Sequence, residues 1–112
     1  MDGNLHRGKL GESATIEQGA EAARNCAIGL LARAKAAVGD LDRIRKLIKL
    51  GALVNAIPDF GDHPKVVNGA SDFMDQAFGT ETAEHVQFAV GSSSLPSNAM
   101  VEIEAVYRVI AA

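Results

Sequence analysis

Apolar residues recur at steps of three and four from Ile16 to Val38, through Ala20, Ala23, Ala27, Leu30 and Ala34. That spacing draws one stripe along a helix of about six turns. Thr15 and Gln18 precede it at the spacing of a capping box, in which the hydroxyl accepts from an amide three residues on and the glutamine reaches back. Gly39 follows the last stripe residue and suits a C-terminal cap. Because the stripe is mostly alanine, the helix is expected to lie close to whatever it covers, and Gly29 beside Leu30 fits the same close approach.

The next segment, "RIRKLIKLGALVNAI" over 43–57, is rich in Ile, Leu and Val with charges interleaved at its start. It reads as a long strand, half exposed first and buried later, with Gly51 marking a bulge or bend. "PDFGDHP" is a loop. Pro64 then stands where a first-turn proline is tolerated, with Asp62 placed to satisfy amide donors. A second, bulkier helical stripe holds Val66, Val67, Ala70, Phe73, Met74, Ala77 and Phe78, and Gly79 ends it. Asn68 and Ser71 lie off that stripe and read as surface positions. Residues 1–14 read as loop or frayed terminus. Two further strands, 85–91 and 99–110, are joined by a turn. The whole is one domain, 1–112, of α+β class: a two-layer sandwich with two helices on one face of a mixed sheet. The helix between strands 43–57 and 85–91 implies a crossover connection.

Alternation assigns faces to the last two strands. Val101, Ile103, Ala105, Tyr107 and Val109 share one face, and Val86, Phe88 and Val90 form the matching apolar set, so both are expected under the helices. The other face would then carry His85, Gln87, Glu102 and Glu104, with Ala89 and Val106 between them. Such a mixture suits a subunit interface holding a polar pocket as well as it suits a wet sheet face.

Composition narrows the function classes. A net charge of -3, four Phe, one Tyr and no Trp disfavour a nucleic-acid binder, which needs phosphate-neutralising charge or stacking platforms. The basic cluster of Arg43, Arg45, Lys46 and Lys49 could be an anion site but reads more simply as a solvated strand end. The single cysteine, Cys26, cannot form an internal disulfide and reads as a buried, inert thiol among alanines. There is no secretory signal and no apolar run of bilayer-spanning length, so a cytoplasmic protein without membrane association is expected. No Cys/His/Asp spacing matches a metal ligand set, and no glycine pattern matches a phosphate loop.

Three motifs carry a resemblance: "GASDFMDQAFG", then "HVQFAVGSSSLP", then "VEIEA", together with "LVNAIPDFGDHPKVVNGASD". From about residue 8 to residue 110 the chain resembles the RidA/YjgF, or L-PSP endoribonuclease-like, family, and a little-characterised subgroup of it. The resemblance implies a chorismate-mutase-like fold and a homotrimer whose sheets face the threefold axis, with small-molecule clefts between subunits. It also implies deamination of reactive enamines and imines without metal or cofactor. It makes Glu104 the catalytic candidate, positioning a water, and Gln87, His85, Phe88, Ala89 and Glu102 the substrate-binding candidates.

Two departures follow from the resemblance. Gln87 stands where the family usually has an arginine that grips a substrate carboxylate. Losing that charge-assisted hydrogen bond should cost on the order of 1–3 kcal/mol or more. The cation near Glu104 would have to come from His85 or from a neighbouring subunit. Family members also begin with a β-hairpin before the first helix, and this chain begins after that point. A three-strand sheet with an exposed edge is therefore expected, for a partner to cover. The expectation is a small-molecule-binding member that lacks imine deaminase activity. The alternative is an active deaminase or hydrolase using Glu104. Ribonuclease action lacks a paired histidine acid and base, since His6 falls in the N-terminal loop and His63 precedes a helix.

Overall fold

The structure, a computed structural model, describes residues 6–110. Its elements in chain order are α1 (Ile16–Val38), β1 (Ile44–Asn55), α2 (His63–Phe78), a one-turn α3 (Thr80–Ala83), β2 (Val86–Ser92) and β3 (Val101–Val109). Short 3₁₀ turns, Leu41–Arg43 and Pro96–Asn98, precede β1 and β3. The α+β two-layer sandwich is as the pattern predicts, with α1 and α2 on one face of a mixed sheet.

α1 begins with both capping-box bonds in place. Thr15 Oγ1 accepts from the Gln18 amide at 3.1 Å, and Gln18 Oε1 accepts from the Thr15 amide at 2.9 Å. It ends at Gly39, whose φ of +87° needs no Cβ and whose N–H donates to the Lys35 carbonyl. Just beyond, the Arg43 guanidinium donates to the Val38 carbonyl at 2.6 Å and to the Ile110 carbonyl at 3.0 and 3.1 Å. One side chain thus quiets an orphan carbonyl of α1 and pins the chain beyond β3. At α2, Asp62 is the N-cap residue but its side chain makes no cap bond, unlike the predicted role; it stands 3.7 Å from Lys65 Nζ instead.

The helices touch through backbone, at a different glycine from the one expected. A Cβ on Gly69 of α2 would lie 2.0 Å from the Ala20 carbonyl oxygen of α1, whereas one on Gly29 would meet nothing within 4 Å. The close approach is therefore at Ala20 against Gly69, near the start of α1. Beneath it, Ala23, Ala27, Val66, Val67, Ala70 and Met74 pack on Leu47, Leu50, Ala52 and Val54 of β1.

The strand order is β2-β1-β3, with β1 parallel to β2 and antiparallel to β3. The two consecutive strands are thus not a pair: β1, the most apolar of the three, takes the centre and separates them. Register shifts place bulges at Arg45 and Ile48 rather than at Gly51, which is paired regularly with Phe88 and Glu104. The bulge at Ile48 lets Leu47 and Leu50, three apart, both face the helices. Among the described residues, the outer edges of β2 and β3 carry no further strand.

The N-terminal segment also departs from its predicted frayed state. Its first five residues lie outside the described range, but Leu10 is fully buried. The Leu10 amide donates to the Asn55 carbonyl at 2.8 Å, and the Leu10 carbonyl accepts from the Ile57 amide at 3.1 Å. An antiparallel bridge joins Arg7 to Ala99. Glycines and polar residues hid a segment held mainly by backbone bonds and one leucine.

Two ionisable groups sit partly in the core. Burial pushes the Cys26 thiol up, with Arg33 opposing and Glu102 adding to the shift, and burial likewise pushes the Tyr107 phenol up. The folded state thus favours both neutral forms. Their contribution to stability is full below the unfolded pKa values, about 8.5 and 10, and is lost as pH rises through the higher folded values. The urea midpoint is therefore expected to fall as pH rises beyond about 9. The double variant Cys26→Ala/Tyr107→Phe should show a shallower fall, and an unchanged slope would contradict the assignment.

Candidate functional site on the open sheet face

The registers set three rows across the sheet on the face turned away from the helices. Lys49 lies between Val86 and Val106, Gly51 between Phe88 and Glu104, and Leu53 between Val90 and Glu102. The exposures identify the face: Val86 is 73 % exposed, Val90 45 %, Val106 43 % and Phe88 39 %. Glu102 and Glu104 therefore stand on the open face, as alternation implies.

β2 is turned over relative to expectation. Its apolar residues point to the open face, and His85, Gln87 and Ala89 point toward the helices. Gln87 shares a row with Leu50 and Ala105, and Ala89 with Ala52 and Ile103. The Ser71 hydroxyl of α2 donates to Gln87 Oε1. The ring of His85 bridges the same oxygen, at 2.9 Å from Nε2, and the Ala83 carbonyl, at 2.6 Å from Nδ1. The physical reason is local. At the edge of the helix layer, Ser71 and the end of α3 offer polar partners, so polar side chains of β2 are satisfied there. Alternation shows that a strand has an apolar face but not what covers it. One signal was legible: Ser71 stands four residues after Val67 and three before Met74, on the flank of the buried stripe.

The six candidates therefore divide. Glu104, Glu102 and Phe88 are together on the open face; Gln87, His85 and Ala89 are on the other side of the sheet, with the width of β1 between Gln87 and Glu104. No single hollow within the protomer holds all six.

The cation beside Glu104 is Lys49, a residue that sequence reasoning grouped only with a basic cluster. Its Nζ is 3.4 Å from Glu104 Oε2 and 5.3 Å from the centroid of the Phe88 ring. The cluster itself disperses: Arg43 serves backbone carbonyls, Lys46 Nζ donates to the Glu81 carbonyl at 2.9 Å, and Arg45 is exposed. Gly51 makes room for the group. A Cβ there would lie 2.4 and 2.7 Å from two ring atoms of Phe88 and 3.0 Å from Glu104 Oε2, so ring and carboxylate rest directly over backbone.

The result is an ion pair and an aromatic ring set among Val86, Val90, Val106 and Leu53. Left open to water, such a pair is worth only about 0–1 kcal/mol. Covered, it would become a strongly directional polar centre in an apolar surround. Among the described residues, no group of three or more His, Cys, Asp or Glu is placed to hold a metal, and no helix is long and apolar enough to cross a membrane.

Known proteins share this arrangement of elements. Residues 1–109 match the family described as "YjgF/chorismate mutase-like, putative endoribonuclease". Protein TCP17 of Trypanosoma cruzi is 43 % identical over 103 residues, covering 92 % of this chain and 64 % of that protein. The chain thus spans a little under two thirds of that relative's length. The crystal structure of Atu1372 from Agrobacterium tumefaciens, a protein described as of unknown function, superposes with a TM-score of 0.91 at 40 % identity. It covers 94 % of this chain and 67 % of that one. A crystal structure from Shewanella oneidensis MR-1, described as a "putative endoribonuclease", does so at 0.89 and 28 % identity, covering 94 % and 69 %.

Proposed function

The chain belongs to the YjgF/chorismate mutase-like family, and we propose that it binds a small molecule on its open sheet face, in clefts closed by neighbouring protomers of a homotrimer, without deaminating imines. The observation that carries this reading is the Lys49–Glu104 pair resting over Gly51 beside Phe88. Charges placed inside an exposed apolar field are costly to leave without a specific occupant once that field is covered. A second protomer is the cover the reading requires, since a lone domain would leave Val86, Phe88, Val90 and Val106 wet. Light scattering is then expected to give three chains per particle.

The position of Gln87 supports binding without deamination. It brings no positive charge, its carbonyl oxygen is engaged by Ser71 and His85, and it lies across the sheet from Glu104. Ammonia release from 2-iminobutyrate generated in situ is expected to run at the uncatalysed rate. Turnover matching that of an arginine-bearing relative would overturn the reading.

The same pair favours a second reading, in which Glu104 orients a water for hydrolysis. Lys49, 3.4 Å away, would orient the carboxylate beside a substrate. In that case any hydrolytic activity should vanish in Glu104→Gln, and an activity that survives the change would exclude the role.

A further inference from the structure

We infer that His85 and Gln87 form a proton-linked switch at the outer edge of β2, on the helix side of the sheet. A charged His85 turns the Gln87 amide nitrogen outward, and a neutral His85 turns the carbonyl oxygen outward. The structure places only acceptors beside both ring nitrogens. Nδ1 lies 2.6 Å from the Ala83 carbonyl and Nε2 lies 2.9 Å from Gln87 Oε1. A carbonyl oxygen cannot donate, so each nitrogen carries a proton and the ring is an imidazolium. The Ser71 hydroxyl donates to the second lone pair of the same Oε1. Among the described residues Gln87 Nε2 has no bonded partner, and it is not shut away from water.

Removing one proton breaks this set. The Ala83 carbonyl remains an acceptor, so Nδ1 keeps its proton and Nε2 becomes an acceptor facing an acceptor. A half-turn of the Gln87 amide about its last torsion resolves the conflict. Its two N–H groups then donate to His85 Nε2 and to Ser71 Oγ, and the hydroxyl proton swings toward the Val67 carbonyl, 3.5 Å away. Each arrangement pairs every inward polar atom, and a mixture of the two does not. Both use the same heavy-atom positions, so the proton count separates them.

No other group near the ring fixes its charge. α2 presents the uncharged Ser71, with Asp72 and Asp75 exposed on either side of Met74. α3 presents the Ala83 carbonyl, and Glu81 and Glu84 are exposed. On β1, Lys46 donates to the Glu81 carbonyl and Lys49 pairs with Glu104 on the opposite face. Among the described residues the ion pairs are Lys49–Glu104 and Lys65–Asp62, so no carboxylate holds the imidazolium. The edge of β2 carries no further strand among those residues. A group arriving there meets two amide donors when His85 is charged and one carbonyl acceptor when it is neutral.

The test is NMR of the full chain between about pH 5 and 8, where histidine ordinarily changes charge. Ring nitrogen shifts are expected to show neutral His85 protonated at Nδ1. Overhauser contacts from the Gln87 amide protons to the His85 ring and the Ser71 methylene should be present above the titration and lost below it. After correction for hydroxide catalysis, those amide protons should exchange about tenfold or more slowly above it than below it. Gln87→Glu, which can only accept, should leave the ring doubly protonated at a pH at which the parent ring is neutral. A neutral His85 protonated at Nε2, or Overhauser contacts that ignore pH, would overturn the switch. So would a Gln87→Glu ring that titrates together with the parent's.

Discussion

Replacing Gly69 by alanine is expected to destabilise this fold by about 2–3 kcal/mol, although alanine is the better helix former. The added Cβ would sit 2.0 Å from the Ala20 carbonyl oxygen, 2.8 Å from its carbon and 3.1 Å from its Cα. Those atoms are backbone of α1 and cannot swing aside. The helices must separate by more than 1 Å to restore ordinary contact, which loosens Ala23, Val66 and Ala70 at once. The gain in helix propensity, about 0.5–1 kcal/mol, is too small to offset this. Gly29→Ala is the internal control, since its Cβ meets nothing, and it should stabilise by about that same 0.5–1 kcal/mol. Urea denaturation of both variants decides the matter. A neutral Gly69→Ala would mean that the two helices do not meet here. Ser71 lies half a turn from Gly69, so the amide shift of Gln87 should report the helix displacement in the folded variant.

Asn55→Ala should cost a similar amount, about 2–4 kcal/mol, by a different route. Asn55 is fully buried at the end of β1 and is a junction for three segments. Its Oδ1 accepts from Lys9 Nζ at 2.7 Å, and its Nδ2 donates to Asn98 Oδ1 and to the Ala99 carbonyl, both at 3.1 Å. The Lys9 ammonium also reaches the Ser93 carbonyl. Removing the amide takes one partner each from an ammonium and two acceptors that are only partly open to water, and it leaves a cavity where the buried side chain stood. The turn it steadies holds Ser97 and Asn98 at φ of +59° and +55°, a left-handed conformation that needs support from its surroundings. Hydrogen exchange at residues 8, 10 and 100 should quicken in the variant more than in the centre of β1. Loss of stability without that local change would assign the effect elsewhere.

These two positions show what sequence patterns carry and what they omit. Gly69 sits inside a helical stripe as an unremarked glycine, whereas Gly29 occupies the more suggestive place beside a leucine. Only the crossing of α1 and α2 tells them apart, because the space around a glycine belongs to its neighbours in three dimensions. Asn55 closes an apolar strand, and nothing local marks it as the partner of Lys9, forty-six residues earlier. The site shows the same division. Glu102 and Glu104 were legible from period-two alternation on a strand whose apolar face is unambiguous. Lys49 was not, because a bulge at Ile48 and the interposition of β1 between β2 and β3 decide which carboxylate it meets.

The residue pattern alone determined the positions of both long helices, the three strands, the caps at Thr15 and Gly39 and the kinship of the chain. Each of these rests on periodicity, short-range hydrogen bonding or linear motifs, and none needs a distant partner. Tertiary structure alone decided the strand order, the inversion of β2 and the pairing of Lys49 with Glu104. Those depend on which surface each face meets. Alternation is symmetric with respect to that choice until α2 supplies Ser71 on one side of β2, while the described residues leave Val86, Phe88 and Val90 exposed on the other.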